Sequence, residues 1–362
     1  MNKNVIKDAL ICLAAGKSQV PIILAAKRLN YSVIAIDINP HAPGFEFADH
    51  SIIHSTHDAK GVIKILDLLN DQFNWLGILN RSSGPAVLTA AKISQHFCIP
   101  GVPIKSAKIL LNKDAMREAC SKYEFPAPSY KLLKKNEVPN LNDDDYPIVI
   151  KPALSIIGKS GISIVRNKKE LVKAVTYASE HTINEMVVLE KYIPGSDISF
   201  ISFVENGRVY SVCYLNEINS EDMKGRVYGK GFKTYDIDNN HNLKEKVNAV
   251  VDKIVKSLEI MRSPLMVSFR SDNEGNVFLL EVHLDLGGDL LIEKLFPNAL
   301  DLDFTELAVN MASGNINHPI KIQVSPSAVF FEDGSELVSE KDCNTFAAST
   351  FKELEDLIVE KQ

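Results

Sequence analysis

The sequence predicts a protein of mixed α/β and α+β class, with a parallel-sheet domain followed by a larger domain that contains antiparallel hairpins. Up to about residue 105, apolar strand-like runs alternate with helix-like runs, which is typical of a parallel sheet with right-handed crossovers. Further along, Asn206-Gly207 lies between two apolar runs and indicates a hairpin with a type I′ turn. The 362 residues suit two to three domains of roughly 150 residues each.

Composition excludes several classes of protein. Apolar residues make up 45% of the chain and charged residues 24%, and 40 basic against 46 acidic residues give a net charge of −6. These values exclude a disordered tail, a collagen-like repeat and a small disulfide scaffold. Lysine and arginine form no dense stripe, so a small-molecule partner is favoured over nucleic acid.

The five cysteines and the apolar runs indicate the cellular compartment of the protein. The cysteines are scattered and odd in number, without a C-x-x-C pair, which is typical of reduced thiols in a cytoplasmic protein. No apolar run reaches the roughly 18 residues of a membrane span. We therefore expect a cytoplasmic protein without a membrane partner.

The first 105 residues predict an alternation of three strands and three helices. Pro21 lies near the start of the first helix, where its missing N–H costs little, and Asn39-Pro40 ends the second strand. The predicted strands lie at 9–14, 32–37 and 75–79, and the helices at 21–29, 61–69 and about 85–97.

Two patterns resemble nucleotide-binding motifs but lack required glycines. Gly16 and Asp37 are spaced like the turn and the ribose carboxylate of a dinucleotide site, but the remaining glycines of G-x-G-x-x-G are absent. The Gly-Lys-Ser triplets at 16–18 and 158–160 lack the upstream glycine of a P-loop. A dinucleotide-dependent enzyme is therefore disfavoured.

From residue 106 the chain predicts a second domain up to residue 318, followed by a short α/β segment at 319–362. The predicted helices lie at 106–122, 169–178, 244–258 and from 350, and the strands at 147–151, 162–165, 186–189, 200–205, 209–215, 265–270 and 276–286, with two short strands after 319. A loop of small residues at 155–161 follows the strand that ends in Lys151.

Polar side chains follow one face of the strand predicted at 276–286. Because a strand alternates its faces, Glu281, His283 and Asp285 share one face, next to Gly287-Gly288. Such a face is costly against an apolar core unless its groups are paired, and its carboxylates suit Mg²⁺. The alternative is a solvated face of an antiparallel sheet.

The neighbouring strand brings two further polar residues to this region. If a four-residue loop closes the hairpin, Ser268 lies opposite Glu281, and Arg270 is a diagonal neighbour of Glu281. Two roles for Arg270 remain open: phosphate binding, or a structural ion pair with Glu281.

The order of these features resembles the ATP-grasp superfamily, which includes carboxylate–amine ligases and biotin-dependent carboxylases. The resemblance covers nearly the whole chain: a helix with Lys113, a strand ending in Lys151, a glycine loop, Glu-Lys-Tyr-Ile at 190–193 and the carboxylate hairpin. It implies an ATP-grasp fold preceded by a Rossmann-like domain, residues 1–105, with a lid subdomain at about 112–189.

The resemblance also implies an ATP site. By likeness to the family's motifs, Lys113 and Lys151 would bind phosphates, and residues 156–162 would form the flap over them, with Gly158, Ser160 and Gly161 as binding residues. The adenine hinge would use the Glu190 side chain and the backbone of Lys191 and Ile193, with Asp197 near the ribose. The alternative for each lysine is an ordinary surface position, more so for Lys113 than for Lys151.

The metal site departs from the family's pattern. The family has a first carboxylate and then Glu-x-Asn-x-Arg-x-Gly-Gly, whereas this chain has Ser268, and then Glu281, His283 and Asp285 before the glycines. We expect Glu281, His283 and Asp285 to hold Mg²⁺, or Mn²⁺ in its place, and Arg270 to replace the missing arginine. Arg270 and Lys151 are then the expected catalytic residues.

Two functions follow from the resemblance. The first is an ADP-forming ligase that makes an acyl phosphate from a carboxylate and joins it to an amine. The second is a catalytically silent nucleotide-binding protein with a degenerate metal site, which Ser268 and Asp285 favour. The expected partners are small-molecule carboxylate and amine substrates and no nucleic acid, with a homodimer as an option.

Overall fold

A four-stranded parallel sheet forms the first domain of the computed structural model, which describes residues 6–155, 159–288, 290–315, 322–331 and 343–361. Its elements are β1 Lys7–Leu13, α1 Val20–Arg28, β2 Ser32–Asp37, β3 His50–Ile53, α2 Ala59–Asp67, β4 Phe73–Asn80 and α3 Pro85–His96. The strand order is β3-β2-β1-β4. The three predicted strands are confirmed, and β3 is an edge strand that the sequence analysis missed.

Asp37, at the end of β2, is bound by the backbone around it. Asp37 accepts hydrogen bonds from the backbone N–H of Ala15 at 2.8 Å and of Asn39 at 2.9 Å, one at each oxygen. Both oxygens therefore stabilise the local backbone.

The lid is a second, antiparallel sheet with one covering helix. This region comprises α4 Ile104–Leu111, α5 Lys113–Tyr123, β5 Tyr130–Lys134, β6 Ile148–Pro152, β7 Ser163–Val165, α6 Lys168–His181 and β8 Met186–Lys191. The strand order is β5-β8-β6-β7. Apolar side chains of α6, among them Leu171 and Val175, pack with Ile150 and Val187 in the lid's own core.

The single helix predicted at 106–122 is wrong, because Asn112 interrupts it. Asn112 has an extended backbone, with φ −109° and ψ 119°, and it separates α4 from α5. The N–H of Lys113 then donates to the carbonyl of Ala153 at 2.8 Å. This break places Lys113 at the first position of α5, beside the strand that carries Lys151.

A seven-stranded antiparallel sheet forms the centre of the molecule. Its region comprises β9 Ser196–Glu205, β10 Arg208–Glu221, β11 Val227–Thr234, α7 His241–Ser257, β12 Arg262–Ser271, β13 Val277–His283, α8 Phe296–Ala299, α9 Phe304–Ser313, β14 Ser327–Phe331, β15 Cys343–Ala347 and α10 Phe351–Lys361. The strand order is β13-β12-β9-β10-β11-β14-β15. The strands predicted after residue 319 thus extend this sheet.

Turn chemistry and packing explain the central sheet. Asn206 and Gly207 both have positive φ, 52° and 71°, as the predicted type I′ turn requires. On one face, α7 packs its apolar side against the sheet. On the other, one hydrophobic cluster joins Ile22 of α1 to Phe203 of β9 and Val309 of α9, so the first domain and the central sheet share a core.

Candidate functional site

A cleft of about 1610 Å³ lies between the lid sheet and the central sheet. It brings together most of the residues that the sequence singled out. The predicted residues lining it are Lys113, Lys151, Ser160, Glu190, Lys191, Ile193, Asp197, Arg270, Glu281, His283 and Asp285. Gly161 does not line it, and Gly158 lies outside the described residues.

Lys113 and Glu281 form an ion pair inside this cleft. Lys113 Nζ lies 2.7 Å from Glu281 Oε1, and the lysine side chain is 11% exposed. Burial alone would raise the pKa of Glu281, but the charge of Lys113, followed by that of His283, holds this pKa well below its ordinary value. Glu281 is therefore ionised at neutral pH and already has a cation beside it.

Two cations share one oxygen of Glu190. The Oε1 atom of Glu190 lies 2.6 Å from Nε of Arg117 and 2.8 Å from Nζ of Lys151. Arg117 is fully buried, and its Nη2 also donates to the carbonyl of Leu280 at 3.0 Å. Burial opposes the charge of Glu190, yet the charges of Arg117 and Lys151 keep its pKa below the ordinary value.

Burial perturbs the ammonium of Lys151. Its burial lowers its pKa to about 8, against the opposing attraction of Glu190. The ammonium therefore titrates near physiological pH. The predicted role of Glu190 as an acceptor for adenine would need its other oxygen, because Oε1 already has two partners.

Arg270 pairs with Asp197 in the structure, so the alternative of an ion pair with Glu281 is wrong. Its Nη1 lies 2.9 Å from Asp197 Oδ1, and its Nε donates to the carbonyl of Ile193 at 2.8 Å. The cause is register, because Arg270 lies opposite Asp197 of β9, and opposite Phe278 of β13. Arg270 thus connects residues 190–193, the predicted hinge, to the central sheet.

Ser268 does lie opposite Glu281, as the sequence predicts. The loop at the hairpin's end is one residue longer than expected, since Ser271 pairs with Val277. A bulge at Leu280 then restores the expected register, because Phe269 pairs with Leu279.

Glu217 is a buried carboxylate of β10 that the sequence analysis missed. It accepts hydrogen bonds from Ser199 Oγ at 2.5 Å and Ser268 Oγ at 2.7 Å, and its Oε2 lies 2.6 Å from Lys159 Nζ. Although burial opposes it, the charge of Lys159 and these hydrogen bonds lower the pKa of Glu217 to about 2. A second ionised carboxylate therefore flanks Ser268, and only the strand register reveals it.

The strand predicted to run to Leu286 ends at His283, so face alternation does not extend to Asp285. The chain leaves the sheet because the N–H of Leu286 donates to the carbonyl of Asn80 of the first domain at 3.2 Å. Asp285 instead accepts from the N–H of Gly287 at 2.9 Å. Burial is the main cause that raises the pKa of Asp285.

The predicted metal ligands are near one another without forming a complete metal cage. His283 Nε2 lies 3.8 Å from Glu281 Oε2. Within the described ranges, no group of three or more His, Cys, Asp or Glu side chains could hold a metal ion. Mg²⁺ commonly uses one or two carboxylates together with substrate phosphates and water, so the donors present fit a shared ion.

The flap loop returns to the lid through a position that requires glycine. Gly161 has φ +81°, and a Cβ there would lie 2.8 Å from His181 Cβ and 3.0 Å from Pro152. Beyond it, the N–H of Ile164 donates to the carbonyl of Gly225 at 2.8 Å, and that of Val227 to Ile162 at 3.1 Å. The lid is therefore joined to the central sheet at this edge of the cleft.

Comparisons with known proteins find similar sequences and structures for this fold. Residues 120–285 match the family model described as D-ala D-ala ligase C-terminus. A formate-dependent phosphoribosylglycinamide formyltransferase of Prochlorococcus marinus (strain MIT 9515) is 26% identical over 70% of this chain and 64% of its own length. The chain thus covers less than two thirds of that relative.

Solved structures share the fold over almost the full chain. An L-amino acid ligase from Bacillus licheniformis has a TM-score of 0.75 and 16% identity, covering 98% of this chain and 97% of its own. An N5-carboxyaminoimidazole synthetase from Staphylococcus aureus complexed with ADP has a TM-score of 0.73 and 14% identity, covering 100% and 98%. The chain thus has the ATP-grasp fold.

One further finding concerns membranes. Among the helices that the structure describes, none combines the length and apolar character needed to cross a bilayer.

Proposed function

We propose that this protein is an ATP-dependent, ADP-forming ligase that activates a carboxylate and joins it to an amine. One observation carries the proposal: Lys113, Lys151 and Glu281 line the same cleft as residues of the predicted hinge at 190–193. Such a reaction needs cations to bind phosphates, an ionised carboxylate to bind a metal and a hinge to bind the adenine base.

The proposed reaction has two steps. A substrate carboxylate oxygen attacks the γ-phosphorus of ATP, the bond to the bridging oxygen breaks, and ADP leaves. The amine nitrogen then attacks the acyl carbon, phosphate leaves, and the nitrogen releases its proton. Catalysis of this kind is mostly positioning and neutralisation of charge. The formate-dependent relative and the amino acid ligase, each by its own name, support this chemistry.

We assign the nucleotide to the lid side of the cleft. Lys113 and Lys151 bind the phosphates, because a flexible ammonium is a suitable phosphate anchor. The backbone of Lys191 and Ile193 reads the adenine edge, and Asp197 lies near the ribose. Ser160 and Gly161 belong to the flap, whose backbone N–H groups suit anionic oxygens.

We assign the metal to Glu281, with His283 and Asp285 as its neighbours. The Lys113 ammonium already occupies a cation's place at this carboxylate, 2.7 Å from Oε1, so the position suits positive charge. Bound Mg²⁺ would neutralise charge on the phosphates. Arg270 donates from Nε to Ile193, from Nη1 to Asp197 and from Nη2 to the Tyr192 hydroxyl at 3.3 Å, and we propose that Nη2 exchanges this hydroxyl for a phosphate oxygen when ATP binds.

The test is ADP release measured across a matrix of carboxylates and amines, with Mg²⁺ present and with EDTA. The ligase predicts ADP release that requires one carboxylate, one amine and Mg²⁺ together. Calorimetric ATP binding is measured in parallel. ATP binding without Mg²⁺ dependence and without ADP release from any pair would favour the silent nucleotide-binding protein, which Ser268 at the first carboxylate position supports.

A further inference from the structure

A bulge in β11 presents Lys230 to the cleft. Ile218 of β10 pairs with Gly231, but the next residue, Asn219, pairs with Gly229. Lys230 is therefore the extra residue between two glycines. Bulges re-aim a side chain and are common beside active sites. Lys230 lines the same cleft as the predicted ATP residues.

Glycine is required on the C-terminal side of this bulge. Gly231 has φ +155°, and a Cβ there would lie 2.1 Å from the carbonyl oxygen of Val329 on β14. A Cβ at Gly229 would instead lie 3.9 Å from Cδ and Cε of Lys159. The aliphatic part of the Lys159 side chain, which extends from the lid, thus covers Gly229. The bulge therefore lies beneath the edge of the lid.

Most cations lining the cleft already have a carboxylate partner. The pairs are Lys113–Glu281, Lys151–Glu190, Lys159–Glu217, Arg270–Asp197, Arg81–Glu293 and Lys233–Glu355. Among the described residues, Lys230 makes no ion pair, and its Nζ lies 5.7 Å from the centroid of the Tyr228 ring.

Two other cleft cations lack a carboxylate partner in the described structure, but they differ from Lys230 in their exposure to solvent. Lys191 and Arg226 are exposed. Lys191 donates to the carbonyl of Asp145, and Arg226 lies over the Tyr177 ring, 4.4 Å from its centroid. Lys230 is half-buried, so the cleft encloses it more than it encloses these two exposed residues.

We propose that Lys230 binds the carboxylate of the substrate before it is activated. This inference rests on the proposed ligase function and names the residue that recognises the acyl substrate. Position supports the assignment, because Asn219, opposite Gly229, accepts from Lys159 at 2.7 Å and donates to Asp197 at 2.7 Å. Lys230 directly follows Gly229 in the chain. It is thus next to the residue paired with Asn219, which contacts Lys159 of the lid and Asp197 on the hinge side of the cleft.

The first test needs no turnover. Pyridoxal 5′-phosphate, an anionic aldehyde, condenses with a lysine amine with loss of water, and borohydride reduces the imine to a stable amine that mass spectrometry locates. We expect the ratio of labelling at Lys230 to labelling at the exposed Lys224 to be much higher with this probe than with uncharged pyridoxal, and metal-free ATP to leave Lys230 labelling unchanged. Equal ratios for the two aldehydes, or protection of Lys230 by ATP, would overturn the assignment.

The second test uses the carboxylate that the ADP-release matrix identifies. Lys230→Met should raise KM for that carboxylate roughly tenfold to hundredfold, the worth of a charged hydrogen bond, with the Kd for ATP unchanged. Lys230→Arg should recover most of the loss. The matched control is Lys224→Met, an exposed lysine that does not line the cleft.

The two tests separate the inference from the proposed function. An active ligase in which Lys230→Met leaves the carboxylate KM unchanged would refute the role of Lys230 alone. Absence of ADP release with selective labelling of Lys230 would refute the ligase while supporting an anion site at Lys230.

Discussion

Lys113 and Glu281, a predicted phosphate ligand and a predicted metal ligand, are paired with each other at 2.7 Å. Binding of ATP with Mg²⁺ at the proposed site requires an exchange of partners: Lys113 turns to a phosphate and Glu281 to the metal. ATP draws Lys113 away from Glu281 and so frees the carboxylate for Mg²⁺, while Mg²⁺ frees Lys113 for a phosphate. ATP and Mg²⁺ should therefore bind cooperatively.

Glu281→Gln should separate the two binding events. The amide frees Lys113 and removes a negative charge, so ATP should bind more tightly in EDTA, while the enhancement by Mg²⁺ should shrink. Calorimetry with and without Mg²⁺ measures both effects. Glu245→Gln, an exposed position on α7, is the control. An unchanged Mg²⁺ enhancement in Glu281→Gln would place the metal elsewhere.

Arg117→Met should destabilise the protein because it leaves Glu190 with one cation where it now has two. Loss of one partner from a buried ion pair typically costs about 3 kcal/mol or more. Urea unfolding should show this loss, and Arg117→Lys should lose less because it keeps the charge. Lys122→Met, an exposed position on the same helix, should change the unfolding free energy by less than about 0.5 kcal/mol. Equal stability of Arg117→Met and wild type would contradict this role.

The contrast between Lys151 and Arg117 shows what the sequence could predict. Lys151 ends an apolar strand, and this local pattern is enough to single it out among the lysines of the chain. Arg117 lies within a polar helical stretch, and nothing local shows that it is fully buried against Glu190 on β8.

Register explains the other differences. The Asn206-Gly207 turn fixes its own hairpin locally, so the pairing of β9 with β10 was predictable. Glu217 meets Ser268 only because β9 lies between β10 and β12, and this strand order follows from the assembled sheet. Asp285 leaves its strand because Leu286 bonds to Asn80, about 200 residues earlier in the chain.

ATP affinity should fall as pH rises above the pKa of Lys151, about 8. The free protein loses the charge of Lys151 above this pH, whereas bound phosphate stabilises the charged form and raises this pKa. Binding therefore takes up a proton at high pH, and the Kd should rise roughly tenfold between pH 7 and pH 9. Calorimetry in buffers of different ionisation enthalpy measures the uptake.

The control for this pH effect is Lys151→Met, whose ATP affinity should be weaker and independent of pH over the same range. Lys122→Met should keep the wild-type dependence. A wild-type affinity that is flat from pH 7 to pH 9 would show that Lys151 does not contact the phosphates.

Adenine recognition at residues 190–193 should discriminate against guanine. Hydrogen-bonding groups arranged for an exocyclic amine are left unpaired by a carbonyl at the same position, which strongly penalises the wrong base. GTP should therefore bind at least roughly a hundredfold more weakly than ATP. Similar affinities in calorimetry would remove the adenine assignment.

Asp285→Asn separates a metal-assisting role from a structural one. The amide keeps an oxygen that can accept from the N–H of Gly287, the bond that Asp285 makes at 2.9 Å, so the turn and the melting temperature should be preserved. If Asp285 shares the cation with Glu281, the loss of its charge should cut turnover by orders of magnitude and weaken Mg²⁺ enhancement of ATP binding. Metal-free ATP binding should hardly change. Normal turnover in Asp285→Asn would show that Asp285 only shapes the turn, and the metal would then depend on Glu281 with its remaining neighbours.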